Sequence, residues 1–239
     1  MKKVSLIILI ISLVFNCCTK VDSPYHYPES KMWAHKVNDT AIAKDKSKKF
    51  VGLEVDALYS EYQDKIFVGH NIEDTANNLT LENWFNYVET PSQKHFWLDI
   101  KNLDKHNAKN IAKKIVGIMK QHNMSDNVFV ESPDIKALKK VKESGLRVIL
   151  WTENLTWNNI DTSSWIEHTK KHIDELKPDA ISEESGMFEL LTECFPEQNI
   201  HLWQTSMKTN EVDTAKLKEL CRNKSVKVIL IDNEEPIEY

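Results

Sequence analysis

Val51-Gly52-Leu53-Glu54-Val55-Asp56 is a short apolar run that ends in two carboxylates two residues apart. Phe96-Trp97-Leu98-Asp99-Ile100-Lys101 ends at the same spacing in a carboxylate and an ammonium. On a β-strand, residues i and i+2 share a face. Each run therefore aims two charges the same way from a segment whose other residues belong inside a protein. Charge turned inward is costly unless it is paired or bound to a metal. Four such groups converging on one place would make a site for a divalent cation and an anionic substrate.

Working outward, further short apolar runs repeat along the chain. Strands are expected at Met32–Val37, Val51–Ala57, His95–Ile100, Val128–Glu131, Arg147–Trp151, Ala180–Ser182, Ile200–Trp203 and Val226–Ile231, with a short extension at Ile66–Val68. Their Val, Ile, Leu, Phe and Trp content suits strands covered on both faces. Helical patterns lie between them. Ser132-Pro133-Asp134 reads as an N-cap followed by proline, before apolar Ile135, Leu138 and Val141 and a stop at Gly145. Ile111, Ile115, Ile118 and Met119 keep helical spacing, Thr80 caps a turn holding Leu81, Trp84, Phe85 and Val88, and Leu217 with Leu220 marks a last helix. Eight strands alternating with helices over about 210 residues is the arithmetic of a (β/α)₈ barrel in an α/β fold. A doubly wound open sheet is the rival, but no Gly-rich phosphate loop follows the first strand.

The barrel is expected over 32–239 of the 239 residues. Before it, Lys2-Lys3 and the apolar run Val4–Phe15 have the shape of a secretion signal and are too short to span a bilayer comfortably. The run closes on Asn16-Cys17-Cys18, so residues 1–18 look like a bacterial lipoprotein signal with Cys17 as the lipidated residue. Residues 19–31, with Ser23-Pro24 and Tyr27-Pro28, read as a tether. The protein is thus expected to be exported and held on the membrane of the cell envelope. Net charge is −5 with lysines scattered on helical faces, which does not suggest a nucleic-acid partner. The chain is expected to be a monomer. Cys194 and Cys221 could pair or remain free.

In a barrel of this class the site gathers at the C-terminal ends of the strands. There the sequence places Ala34-His35-Lys36-Val37-Asn38, Glu54-Val55-Asp56, Gly69-His70-Asn71, Asp99-Ile100-Lys101, Glu131-Ser132, Trp203-Gln204 and Asp232-Asn233. Acids and histidines crowd the first three strands. A lone histidine there is usually structural, and Trp97, Trp151 and Trp203 read equally as barrel lining. His106, His122, His168, His172 and His201 belong to no such set. The combination of six groups carries the argument.

That order, His-x-x-Asn, Glu-x-Asp, Gly-His, Asp-x-Lys, resembles the phospholipase C-like phosphodiesterase superfamily. This superfamily includes the glycerophosphodiester phosphodiesterases and the sphingomyelinase D-type enzymes, all (β/α)₈ barrels. Within it the N-terminal half looks most like the menorin family, through Trp33-Ala34-His35-Lys36-Val37-Asn38, Leu53-Glu54-Val55-Asp56, Leu79-Thr80-Leu81-Glu82-Asn83-Trp84 and Leu98-Asp99-Ile100-Lys101. Val130-Glu131-Ser132-Pro133, Leu202-Trp203 and Leu230-Ile231-Asp232-Asn233 extend a weaker likeness over the C-terminal half.

The resemblance implies a phosphodiesterase acting on a small phosphodiester or lipid head group. Glu54, Asp56 and Asp99 fall where the superfamily binds one divalent cation, Mg²⁺ or Ca²⁺, and hard oxygen ligands suit those ions. His35 and His70 fall on its acid/base pair. Lys101 falls on its basic residue, with Lys36, Asn38 and Trp203 as further substrate contacts. Three departures stand out. Lys36 replaces the usual arginine and lacks its bidentate grip on phosphate, Asn71 stands where an acid usually follows the second histidine, and Asp99 replaces a glutamate. They bear on which phosphodiester is accepted, and leave a non-catalytic binding module as the alternative.

Overall fold

Eight parallel strands close on themselves. In chain order they are β1 (Met32–Ala34), β2 (Gly52–Ser60), β4 (His95–Ile100), β5 (Val128–Ser132), β6 (Arg147–Trp151), β7 (Ala180–Glu184), β8 (Ile200–Trp203) and β9 (Val226–Ile231). Each pairs with the next, and β1 pairs with both β9 and β2. A ninth strand, β3 (Lys65–Val68), pairs antiparallel with the far end of β2. The helices are α1 (Thr40–Lys49), α2 (Leu81–Phe85), α3 (Ala108–Gln121), α4 (Ile135–Glu143), α5 (Thr162–Leu176), α6 (Phe188–Cys194) and α7 (Thr214–Arg222). This is a (β/α)₈ barrel. The computed structural model describes residues 25–153, 155, 159–204, 214–237 and 239. The expected signal segment and Cys17 lie outside them, and among the described residues no helix is long and apolar enough to cross a membrane.

Several boundaries differ from the sequence reading. β1 ends at Ala34 rather than Val37, because Lys36 takes a left-handed conformation (φ 52°) and turns the chain over the barrel rim. β2 runs on to Ser60, since Ala57–Ser60 gains a second partner in β3. The cap of α4 is Asp134, not Ser132: its side chain accepts from the backbone N–H groups of Lys136 and Ala137. Thr80 caps α2 as expected by accepting from Asn83 N–H, but that helix stops at Phe85. Cys194 and Cys221 are both free thiols.

The core has two layers. Between sheet and helices lies the larger one, with Leu53, Val55, Phe96, Leu98, Val130, Ile111 and Leu138 buried. Inside the barrel, Trp33, Trp97, Phe129, Ile149, Ala180, Val228 and Leu230 form a second. The Trp33 ring lies directly over Gly52, where a Cβ would come within 2.1 Å of it, so the glycine makes room for the ring. Part of the expected tether belongs to this inner layer. Tyr25 packs on Phe129 and hydrogen-bonds His95, while Tyr27 meets the His201 ring nitrogen Nε2 at 3.0 Å. Both partners lie at the N-terminal ends of strands, so the two tyrosines seal the barrel floor.

Candidate active site

Strand register builds the site. Asp56 pairs with Asp99 across β2 and β4, and Asp99 pairs with Glu131 across β4 and β5. Three carboxylates therefore stand in one row above the inner apolar layer, with Glu54 one pleat lower beside Trp97. Glu54, Asp56 and Glu131 are almost fully buried. Oxygens of Glu54, Asp56 and Asp99 lie within 4.8 Å of one another, the only such trio of metal-ligand side chains among the described residues.

Each member is held by nearby groups. The backbone N–H of Lys36 donates to Glu54 Oε2 at 2.7 Å, a contact made possible by the left-handed turn at Lys36. Asn38 clamps Asp56 twice, donating Nδ2–H to Oδ2 at 2.7 Å and accepting the Asp56 backbone N–H at 2.9 Å. The sequence reading placed Asn38 against substrate; instead it orients a carboxylate, because its side chain is consumed by that clamp. The loop that carries these groups is tied down by Trp84, whose indole N–H donates to the Val37 carbonyl at 2.8 Å.

Burial, reinforced by Asp56 and Asp99, raises the Glu54 carboxyl well above the usual carboxylate range. Burial also raises Asp99, against the opposing pull of Lys101. Lys101 Nζ lies 2.7 Å from Asp56 and bridges to Asp99. Burial favours its neutral form, but those two carboxylates outweigh it and hold the ammonium above its ordinary value. One ammonium cannot balance three convergent acids. The donor set is hard, anionic and under-neutralised, which fits a divalent cation.

The two histidines flank this cluster. His35 is mostly buried, with Nδ1 2.9 Å from Asp232 and Nε2 4.0 Å from Glu54. His70 is exposed on the loop after β3. Gly69 (φ 154°) makes the bend there, and the His70 and Asn71 N–H groups both donate to Asp74. His70 Nδ1 meets Asn71 Oδ1 at 3.2 Å, so a neutral amide orients it where an acid was absent from the sequence pattern.

His35, Lys36, Glu54, Asp56, His70, Asp99 and Lys101 all line one cavity of about 350 Å³. Its other wall is apolar, made by Trp97, Trp151, Trp203, Ile100, Pro133 and Leu230. Two residues to which the sequence reading gave no role also belong here. Asp232 pairs with His35; its place at the end of β9 and the Leu230-Ile231-Asp232-Asn233 likeness pointed to it without a role. Glu131 accepts hydrogen bonds from Trp97 Nε1–H (3.0 Å) and Ser182 Oγ–H. Burial, with help from Asp99, pushes Glu131 up to about 8 despite those bonds. The sequence placed it at a strand end; its register with Asp99 is what brings it into the row of acids.

No protein-family model matches the chain, and no curated protein matches it by sequence. Solved structures do match. A glycerophosphodiester phosphodiesterase from Parabacteroides distasonis superposes with TM-score 0.61 at 15% identity, over 87% of this chain and 94% of that one. A phosphodiesterase from Oleispira antarctica, in complex with sn-glycerol-3-phosphate, gives 0.60 at 12%, over 88% and 94%. The fold is that of the glycerophosphodiester phosphodiesterases. Identities this low establish architecture and leave the chemistry to the residues, since orotidine 5'-monophosphate decarboxylase from Methanocaldococcus jannaschii also matches at 0.54 with 17% identity.

Proposed function

We propose that this chain is a metal-dependent phosphodiesterase of the cell envelope. Its substrate would be a small phosphodiester, lipid-derived or built on a polyol as glycerophosphodiesters are. The observation that carries the reading is that both histidines, three convergent carboxylates and one lysine line the same cavity. Glu54, Asp56 and Asp99 would hold Mg²⁺ or Ca²⁺, which when bound neutralises phosphate oxygens and stabilises charge in the transition state. Lys101, and Lys36 at the rim, would hold phosphate oxygens as point charges. One of His35 and His70 takes a proton from the attacking hydroxyl and the other gives one to the departing alkoxide, each transfer worth ~10²–10⁴ in rate. Asp232 fixes the His35 ring and Asn71 the His70 ring. The resemblance of the first 18 residues to a lipoprotein signal supports export and anchoring at Cys17.

The test is hydrolysis of bis-p-nitrophenyl phosphate and glycerophosphocholine with Mg²⁺ or Ca²⁺ added. His35→Ala and Glu54→Ala should each lose ~10²–10⁴ of the rate, and unchanged rates would sink the assignment. One observation favours a second reading. Lys101 already bridges Asp56 and Asp99, as a barrel retained only for binding would require. Calorimetry separates the two, because the binding module takes up no divalent ion.

A further inference from the structure

We propose that His168 and His172, on α5, form a binding site for one divalent transition-metal ion of the zinc class. The site is separate from the carboxylate trio and does not depend on the phosphodiesterase reading. Two observations carry it: a pair of imidazoles without partners, and a small polar cavity that admits nothing larger than an ion or a water.

The two histidines stand four positions apart on α5, so they share one helix face. Their ring centroids are 3.9 Å apart and the rings are tilted by 56°. Among the described residues neither ring makes a hydrogen bond or an ion pair. The fold thus holds two imidazoles against each other with their nitrogens unspent. Two nitrogens on one tetrahedral ion lie about 3.4 Å apart, a span that rings this close reach by small rotations. Burial, and then the neighbouring His168, lowers the His172 pKa below its ordinary value. That leaves the neutral imidazole a metal requires. Imidazole suits zinc, copper or nickel, whereas Mg²⁺ and Ca²⁺ take oxygen. The donors differ in kind from Glu54, Asp56 and Asp99.

Both rings line a cavity of about 20 Å³ between the end of β6 and α5, together with Thr152, Glu153 and Trp165. A water needs at least about 10–15 Å³, so the space takes a single ion or water and no organic ligand. Trp165 is 2% exposed, and its indole N–H has no acceptor. A buried donor left unmet is costly, and water or hydroxide carried by the ion supplies the acceptor. Of the three charged side chains that act on His172, Glu175 and Glu153 are acids and Lys171 is a base. That balance favours a cation in the cavity. Trp151 and Pro133 line this cavity and the catalytic one alike. The ion would therefore stand behind the apolar wall of the mouth, on the middle of α5.

Calorimetric titration of the untagged full chain with Zn²⁺ tests this, with Mg²⁺ in excess to occupy the carboxylates. One bound equivalent is expected, and it should survive Asp99→Asn. His168→Ala or His172→Ala should weaken it about a hundredfold, because the second imidazole acts at high effective concentration. His168 is exposed, so His168→Gln removes the same ligand without disturbing the core. One equivalent of Cu²⁺ should show electron-spin coupling to two imidazole nitrogens in the native chain and to one in either variant. Zinc affinity unchanged by loss of either histidine overturns the proposal, and so does copper bound through fewer than two nitrogens. Loss of the zinc equivalent in Asp99→Asn also overturns it, since the ion would then sit among the catalytic acids.

Discussion

The two halves of the barrel interior are built by the same strands one pleat apart, yet they obey opposite rules. Below, Trp33, Trp97, Phe129 and Ile149 fill the space and Tyr25 with Tyr27 closes it. Above, His35, Asp99 and Glu131 stand two residues further along β1, β4 and β5 and face a cavity. The floor is built mainly of buried apolar surface. The mouth buries acids close together, and burial first, with like charge behind it, raises Glu54 and Asp99 and costs stability. A strand advanced by two residues passes from a region shaped for packing to one shaped for chemistry, so the dry layer serves as a rigid base beneath the acids.

The contrast can be broken from below. Trp33→Ala removes one of the two indole rings of the floor and should cost about 3–5 kcal/mol in denaturant unfolding. The specific activity of the molecules that remain folded should be retained, and a large loss of activity in fully folded protein would show that the layers are not separable. From above, Asn38→Ala frees Asp56 from its clamp. It should lower divalent-ion affinity and rate by about 10–100-fold while leaving the melting temperature nearly unchanged; equal loss of stability would return Asn38 to a packing role.

The smallest effects sharpen the contrast through pH. Burial pushes floor residue His201 down to about 3. Between about 3 and 6.5 the folded state binds fewer protons there than the unfolded chain, so stability falls as pH drops through that window. Glu131 at the mouth is raised to about 8. Its folded form keeps a proton the unfolded chain has lost, so stability falls as pH climbs from about 4.5 to 8. Each limb has a slope of at most about 1.4 kcal/mol per pH unit. His201→Gln should flatten the acid limb and Glu131→Gln the alkaline one, measured by unfolding across pH. If either variant flattened the other's limb, the two assignments would be exchanged.

Much of this was legible in the residues. Runs of Val, Ile, Leu, Phe and Trp locate all eight barrel strands, because strands covered on both faces leave no other pattern, and Glu54, Asp56, Asp99, His35, His70 and Lys101 share one cavity as expected. What escaped depends on partners remote in sequence. Glu131 and Asp232 stood at strand ends in the sequence, but their partners, Asp99 through the β4–β5 register and His35 through the β1–β9 pairing, could not be read from it. Asn38 looked like a substrate contact because spacing cannot say where an amide points. Tyr25 and Tyr27 looked like tether, since two aromatics among prolines have no period to betray a docking site.

The unequal exposure of the two histidines has a consequence for proton traffic. In the proposed cycle each must regain its starting state before the next turnover. His70 faces water and can exchange a proton with bulk solvent directly. His35 is walled in, and its contact with the outside runs through Asp232, whose carboxylate is 40% exposed. The cycle would therefore be reset through two doors of different width. Buffer concentration would govern how fast the narrower one, at Asp232, reopens.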